Sequence, residues 1–226
     1  MKKELKYKAV IFDMDGLLLD TERIALDTFI ETCKILDIEC GISTYLQCIG
    51  TNEEKTKEIL VRCFGPHFSY EKFSEIWFRK FNSKTLDDPV PLKSGVLRLL
   101  EKLKEVSVPC AVATSTAFGD AVKKLKRTDI LNYFEFVIAG DQVEKCKPDP
   151  EIYNRAAEML HMEPSECLVL EDSENGVRSA VAAGMTVIQI PDLVQPSSEI
   201  RGLGHMIFES LNEVCDRFDQ LFSHCE

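Results

Sequence analysis

Five short apolar runs, each ended by polar residues, constrain the fold of this 226-residue chain more than any other feature. The runs are rich in valine and isoleucine and do not alternate with polar residues, which is typical of strands buried on both faces of a parallel sheet. Helix-length segments separate the later runs. This alternation predicts an α/β fold with a doubly wound, Rossmann-like parallel sheet. The expected strands are Lys8–Phe12, Val108–Ala113, Phe136–Ala139, Cys167–Leu170 and Thr186–Ile190.

The segment between the first and second runs contains only helical patterns. A helical insertion of this length is too long for a simple crossover, and it predicts a separate small domain. We therefore expect a catalytic core of residues 1–17 and 90–226 with an inserted helical cap domain of residues 18–89. The expected helices of the insertion are Thr21–Leu36, Tyr45–Ile49, Glu53–Cys63 and Tyr70–Phe81, and those of the core are Gly95–Val106, Pro150–Met162 and Asn175–Ala183.

Charge and composition exclude several classes of function. The chain has 38 acidic and 27 basic side chains, a net charge of −11, whereas nucleic-acid binding depends on clustered lysine and arginine. No apolar run approaches the roughly 20 residues of a membrane span. The basic start of the chain leads into a run that stops at Asp13, too short for a signal peptide, and the nine cysteines are scattered without a C-x-x-C pair. We expect a cytoplasmic protein, a monomer by default, that binds neither nucleic acid nor membranes.

Chemically active side chains stand where the expected strands end. Since the carboxyl ends of parallel strands meet at one edge of a sheet, these side chains are expected to come together there. They are Asp13 and Asp15 after the first run, Thr114, Ser115 and Thr116 after the second, Lys147 downstream of the third, and Glu171 and Asp172 after the fourth.

The spacing of the carboxylates predicts a metal ion. Asp13 and Asp15 are two residues apart, which in an extended chain puts both on one side at about 6–7 Å. With Glu171 and Asp172 opposite, the negative charges would repel unless a cation neutralised them, and Mg²⁺ is the simplest choice for oxygen ligands. Lys147 would supply positive charge to a phosphoryl group, and it is preferred to Lys145 because Pro148 stiffens the adjacent backbone.

Four motifs in order along the chain resemble those of the haloacid-dehalogenase superfamily. One motif alone is not specific, because D-x-D-G also occurs in calcium loops, but four in order at strand ends are. The similarity runs from Tyr7 to Ile190. Some stretches resemble a more specific group. Gly16–Glu22 and Lys147–Pro150 resemble the branch of phosphatases and phosphomutases related to β-phosphoglucomutase. Ile11–Arg23 is most similar to pseudouridine-5′-phosphatase-like proteins. The motifs are Asp13-Met14-Asp15-Gly16, Thr114, Lys147-Pro148 and Glu171-Asp172.

The resemblance implies a Mg²⁺-dependent phosphatase that acts on a small phosphorylated metabolite. Asp13 would form an aspartyl phosphate, and Asp15 would protonate the leaving alcohol and then deprotonate water. The cap would close over the substrate. The resemblance further implies that Thr114, Ser115 and Lys147 bind phosphate, and that the metal is held by Asp13, Asp172 and the backbone carbonyl of Asp15, with Glu171 near or among its ligands.

Two other functions remain open at this point. Mutases of the branch carry a histidine where this chain has Ala25, and an arginine where this chain has Thr51-Asn52 in the loop that contains Gly50; both absences favour a phosphatase. A regulatory domain that accepts phosphate without turnover would lack both Asp15 and the cap.

The motif residues also have plain structural interpretations. Asp13 and Asp15 could be turn residues, Thr114 a helix cap, Lys147 a surface lysine and Glu171 a structural acid. The residues that choose the substrate are expected in the cap and after the second strand; our candidates are Glu22, Arg23, Thr51, Asn52, Lys55, Ser115 and Thr116.

Overall fold

A computed structural model describes residues 5–51 and 53–223 of the chain. The chain divides into two compact units. The first, here called the sheet unit, comprises Met1–Asp20 with Pro91–Glu226, and the second, the helical unit, comprises Thr21–Val90. No helix among the described residues is long and apolar enough to cross a bilayer.

The sheet unit is built on a six-stranded parallel sheet of order β3-β2-β1-β4-β5-β6. Every strand pair in it is parallel, with Ile11 opposite Ala111 on one side and Val169 on the other. The expected α/β fold with a doubly wound parallel sheet is therefore confirmed. The strands are β1 Ala9–Phe12, β2 Cys110–Ala113, β3 Phe136–Ile138, β4 Cys167–Glu171, β5 Thr186–Gln189 and β6 Met206–Ile207.

Helices of the sheet unit bury one apolar face each. In α5, the buried residues Val96, Leu99, Leu100 and Leu103 recur at the helical period. One core cluster joins β1, β2, β4 and β5 to two helices that follow later strands, α7 and α8, through small residues such as Ala156. The helices are α5 Val96–Glu105, α6 Phe118–Arg127, α7 Glu151–Leu160, α8 Glu174–Ala182, α9 Ser198–Arg201, α10 Leu211–Asp216 and α11 Phe218–Phe222.

The helical unit packs around aromatic side chains. Phe29 lies in edge contact with Phe73 and Trp77, at centroid distances of 5.2 and 5.3 Å. The indole Nε1 of Trp77 donates to the carbonyl of Ala25 at 3.0 Å, so the one polar atom of this buried ring is satisfied. The helices are α1 Thr21–Ile35, α2 Ile42–Leu46, α3 Glu53–Phe64 and α4 Tyr70–Asn82, followed by a π-helical turn at Ser83–Asp87.

The units divide at Asp20/Thr21 and Val90/Pro91, so the expected boundaries at residues 17/18 and 89/90 are shifted. The reason is local pairing: Asp20 N donates to Pro91 O at 2.8 Å and Lys93 N to Leu18 O at 2.9 Å, which ties Leu18 and Asp20 to the sheet unit.

Several elements depart from the sequence expectations. Helices α6 and α9 and the two-residue strand β6 were not expected, and α2 begins and ends earlier than the predicted helix Tyr45–Ile49. A strand as short as β6 carries no periodicity that a sequence pattern could report.

Candidate active site

The first carboxylate of the site lies where the order of strands reverses. From β1 the chain passes to β2 and then to β3 on one side of the sheet. The next strand, β4, pairs with β1 on its other side. Asp13 directly follows β1, and its backbone N–H donates to Leu170 O of β4 at 3.0 Å. In open α/β sheets this switch point, outside the carboxyl ends of the strands, is where ligands bind.

Lys147 joins the ends of three strands. Its ammonium donates to Asp13 Oδ1 at 2.6 Å, to Ala113 O of β2 at 2.9 Å and to Glu171 Oε1 of β4 at 2.6 Å. A lysine has three N–H donors, so this set engages all of them. The side chain of Lys147 is 5% exposed, whereas that of Lys145 is 72% exposed. The structure therefore brings Lys147, and not Lys145, to Asp13.

Glu171 is fully buried and bonded through both oxygens. Besides Lys147, Oε1 accepts from Tyr153 OH at 2.8 Å, and Oε2 accepts from both the backbone N–H and the hydroxyl of Ser173 at 3.0 Å. A Cβ on Gly176 of α8 would collide with this carboxylate, so only glycine leaves room for it at the start of that helix. Four donors fill the acceptor sites of one carboxylate.

Asp13, Glu171 and Asp172 form an acidic cluster. Each offers a carboxylate oxygen, and the three atoms lie within 4.8 Å of one another. Gly16 makes room for Asp172: it adopts a left-handed conformation at φ +87°, and a Cβ there would overlap Asp172 Oδ2. Hard oxygen donors at this spacing suit a divalent cation such as Mg²⁺.

The charged groups around the acidic cluster shift one another's pKa. Burial raises the pKa of Asp13 to about 7, with Lys147 opposing the change and Glu171 adding to it. Burial alone would lower the pKa of Lys147, but the charges of Asp13 and Glu171 outweigh it and raise that pKa well above its usual range. Burial would likewise raise the pKa of Glu171, but Lys147 holds it below its ordinary value. Lys147 and Glu171 are thus held ionised, and the anion of Asp13 is the charge that still needs a cation.

Asp15 has its own partners, separate from this cluster. Its Oδ2 accepts from the Thr116 hydroxyl at 2.6 Å, and its Oδ1 accepts from the ammonium of Lys124 at 2.9 Å. Lys124 lies on α6 with its side chain 4% exposed. The two aspartates that are neighbours in sequence therefore hold different lysines.

The two residues after β2 differ in exposure. Thr114 is buried, and its Oγ1 accepts from the backbone N–H of Thr116 at 3.1 Å. Ser115 is exposed. Because the Thr114 hydroxyl accepts one hydrogen bond and keeps its own proton, it can still donate to an anion.

Sequence reasoning did not identify Lys124 or Tyr153, the two residues that complete these arrangements. A signal for Lys124 existed, since it falls between the buried Ala121 and Leu125 on the apolar face of α6, where a lysine needs a charged partner. Tyr153 lies on the buried face of α7 and gave no such signal.

The helical unit contains a cavity of about 320 Å³. Glu22 and Thr51, both candidates for substrate choice, line it together with Ala25, and the Tyr45 hydroxyl donates to Glu22 Oε2 at 2.8 Å. Arg23 and Lys55 are not among its lining residues, and Asn52 lies outside the described residues. The remaining walls are Cys48, Ile49, Gly50, Glu53, Thr56, Tyr70, Trp77, Phe78 and Phe81.

Comparison with known proteins gives the family. The model of the family described as haloacid dehalogenase-like hydrolase matches residues 10–190, most of the chain. The chain belongs to this hydrolase family. The superfamily resemblance of the four motifs and the expected enzyme class, a haloacid-dehalogenase-like phosphatase, are confirmed.

Individual members of the family are similar over most of their length. A phosphorylated carbohydrates phosphatase from Thermotoga maritima is 34% identical over 182 residues, 79% of this chain and 82% of that protein. A Drosophila melanogaster protein provisionally named pseudouridine-5′-phosphatase is 34% identical over 193 residues, 80% of each chain. A crystal structure of a Thermotoga maritima protein, provisionally named a β-phosphoglucomutase, superimposes with a TM-score of 0.79 at 28% identity, covering 95% of this chain and 99% of that one.

Proposed function

We propose that the protein is a Mg²⁺-dependent phosphomonoester phosphatase that acts on a small phosphorylated metabolite, a sugar phosphate or a nucleoside monophosphate, through an aspartyl phosphate. The observation that carries the proposal is the pair of neighbouring aspartates with different surroundings. Asp13 lies in the acidic cluster against Lys147, and Asp15 lies outside it against Lys124. Two carboxylates with separate environments suit a nucleophile and a proton-transfer group.

The proposed first step transfers the phosphoryl group to Asp13. A carboxylate oxygen of Asp13 forms a bond to phosphorus as the ester P–O bond breaks, and Asp15 gives its proton to the departing alcohol oxygen. In the second step, Asp15 takes a proton from water as the water oxygen attacks phosphorus. The bond between phosphorus and Asp13 then breaks, and inorganic phosphate leaves with both aspartates restored.

Charge balance supports a divalent metal ion at the acidic cluster. Asp13, Glu171 and Asp172 each place a carboxylate oxygen within 4.8 Å of the others, and the single charge of Lys147 can balance only one of these three carboxylates. We assign the metal to Asp13, Asp172 and the backbone carbonyl of Asp15. Bound there, Mg²⁺ would neutralise the phosphoryl oxygens as charge builds on them.

Glu171 is proposed to act without binding the metal directly. Its acceptor sites are filled by Lys147, Tyr153 and Ser173, so a direct bond to the ion would displace one of these donors. Its role is then to hold Lys147 in place and charged.

Lys147 and the residues after β2 are proposed to receive the phosphoryl group. Since the three donors of Lys147 are engaged, it contributes mainly its charge, next to the oxygen of Asp13 that it binds. The Thr114 hydroxyl, which keeps its own proton, is proposed to donate a hydrogen bond to phosphate. Ser115, which is exposed, is proposed to bind the phosphate from the solvent side.

We propose that the helical unit serves as the cap that selects the leaving group. Its cavity offers Glu22, Tyr45 and Thr51 beside the aromatic walls, a combination of polar groups and flat apolar surface that suits a sugar or nucleoside. A phosphosugar mutase is the second candidate, since one similar structure bears that name. A mutase must hold a second phosphate, and among the described residues no arginine or lysine lines this cavity.

Hydrolysis by the intact chain tests the proposal. We expect steady release of phosphate from p-nitrophenyl phosphate with Mg²⁺, stopped by EDTA and restored by added Mg²⁺. A panel of sugar phosphates and nucleoside monophosphates, compared by kcat/KM, then identifies the substrate class. Isomerisation of a hexose phosphate that depends on a bisphosphate activator would instead establish the mutase. A single equivalent of phosphate per chain without turnover would establish a regulatory domain.

A further inference from the structure

Lys124 is a buried lysine that the proposed mechanism does not use. Its side chain is 4% exposed, whereas Lys126 and Arg127 in the same last turn of α6 are exposed. Burying an unpaired ammonium costs several kcal/mol, because the ion loses its hydration. Asp15, whose Oδ1 accepts from the Lys124 ammonium at 2.9 Å, is a partner that offsets this cost.

The position of Lys124 depends on which face of α6 is buried and on how the first turn of α6 is held. Ala121 and Leu125, the neighbours of Lys124 on that face, are fully buried. The first turn is fixed by Asp141, whose Oδ1 accepts from the backbone N–H of Phe118 at 2.9 Å. The helix is thus held against rotation, so the ammonium of Lys124 is directed at Asp15.

The two oxygens of Asp15 are chemically different because of their partners. Lysine has only donors, so Oδ1, which bonds to Lys124, must act as an acceptor. The hydroxyl of Thr116 can either donate to Oδ2 or accept from it, so Oδ2 can carry a proton without losing its hydrogen bond.

We propose that Lys124, together with Thr116, positions Asp15 for proton transfer through Oδ2. In this arrangement Lys124 anchors Oδ1, and Thr116 keeps Oδ2 oriented before and after the transfer. The inference rests on the proposed function, because it gives Asp15 the proton-transfer role, and it goes further by assigning that role to one oxygen and naming the residues that hold it.

Two aryl phosphates of similar shape test the proposal. The phenolate that leaves p-nitrophenyl phosphate needs little help from an acid, whereas the more basic phenolate of phenyl phosphate needs a proton. For Lys124→Met we expect kcat/KM on phenyl phosphate to fall about tenfold further than kcat/KM on p-nitrophenyl phosphate. The matched control is Lys126→Met, an exposed lysine on the same helix, which is expected to leave both values and their ratio unchanged.

A second variant keeps the test decisive if Lys124→Met does not fold. Thr116 is half-buried in a loop, and Thr116→Val removes the hydroxyl that bonds to Oδ2 of Asp15. We expect this variant to show the same selective loss of kcat/KM on phenyl phosphate. Equal losses on both substrates in the folded variants would mean a merely structural role and would overturn the proposal. Turnover of neither substrate by the unaltered protein would instead overturn the proposed function itself.

Discussion

Two lysine–aspartate pairs lie at the same edge of the sheet, and the groups that surround each pair differ. The Asp13 pair is Asp13 with Lys147, whose ammonium also binds Glu171 and a strand carbonyl. The Asp15 pair is Asp15 with Lys124, and the side chain of Asp15 is 24% exposed. In the proposed mechanism, this difference in surroundings, and not residue type, separates the carboxylate that attacks phosphorus from the one that exchanges protons with the substrate.

Replacing each aspartate by asparagine should separate the pairs most sharply. For Asp13→Asn we expect phosphate release to fall by at least about 10⁴-fold and no covalent phosphate to form, because the nucleophile is gone. For Asp15→Asn we expect labelled phosphate from p-nitrophenyl phosphate to accumulate on the protein, because the water that releases it has lost its base. Rapid-quench labelling measures both, with circular dichroism to check folding. Accumulation in Asp13→Asn would contradict the assignment of the nucleophile.

Removing the lysine of the Asp13 pair is the next largest change. Lys147→Met would leave the buried carboxylates of Asp13 and Glu171 without their shared cation, so we expect a stability loss of about 3–5 kcal/mol. Turnover should fall by about 10²–10³-fold because the charge beside the phosphoryl group is lost. Denaturant titration and steady-state kinetics measure these changes. Lys145→Met, at an exposed neighbouring lysine, is the matched control and should change neither by more than a small amount.

Magnesium binding should depend on pH through the Asp13 pair. Burial raises the pKa of Asp13 to about 7 from its usual acidic value, so below that pH the metal-free protein carries a proton that the ion must displace. The apparent Kd for Mg²⁺ should therefore rise by about tenfold per pH unit below 7 and level off above it. Calorimetry in two buffers of different ionisation enthalpy would measure the affinity and the released proton. An affinity that is the same at pH 6 and pH 8, without proton release, would show that Asp13 does not bind the ion as an anion.

The smallest expected effect concerns the support of the Asp13 pair. Tyr153→Phe removes the hydroxyl that donates to Glu171 while keeping the ring beneath Lys147, whose ammonium lies 5.0 Å from its centroid. We expect a stability loss of about 1–2 kcal/mol, typical of one missing hydrogen bond to a buried charged group. The effect on kcat should be only a few-fold, with KM nearly unchanged. A loss as large as that of Lys147→Met would mean that Tyr153 itself contacts the substrate.

The sequence predicted the features of this fold that depend on short-range patterns. Runs such as Cys167–Leu170 are apolar throughout, so strands buried on both faces could be located, and the polar residues directly after three of the runs marked the edge of the candidate site. It did not predict Lys124, because the segment before it, Thr116 to Gly119, has no clear helical start and α6 was not expected. Nor did it predict Tyr153, because a tyrosine on an apolar helix face has the same pattern whether its hydroxyl binds a carboxylate or not.

The entry and exit of the inserted helices lie side by side in the backbone. Leu19 and Leu92 form an antiparallel bridge, and the amide of Asp20 is bonded to Pro91 O. If the insertion were removed, Asp20 and Pro91 would therefore be near enough for a short turn to join them without opening the sheet. The insertion is therefore joined as an exchangeable module: another segment can replace residues 21–90 while the backbone pairing of the sheet unit stays intact.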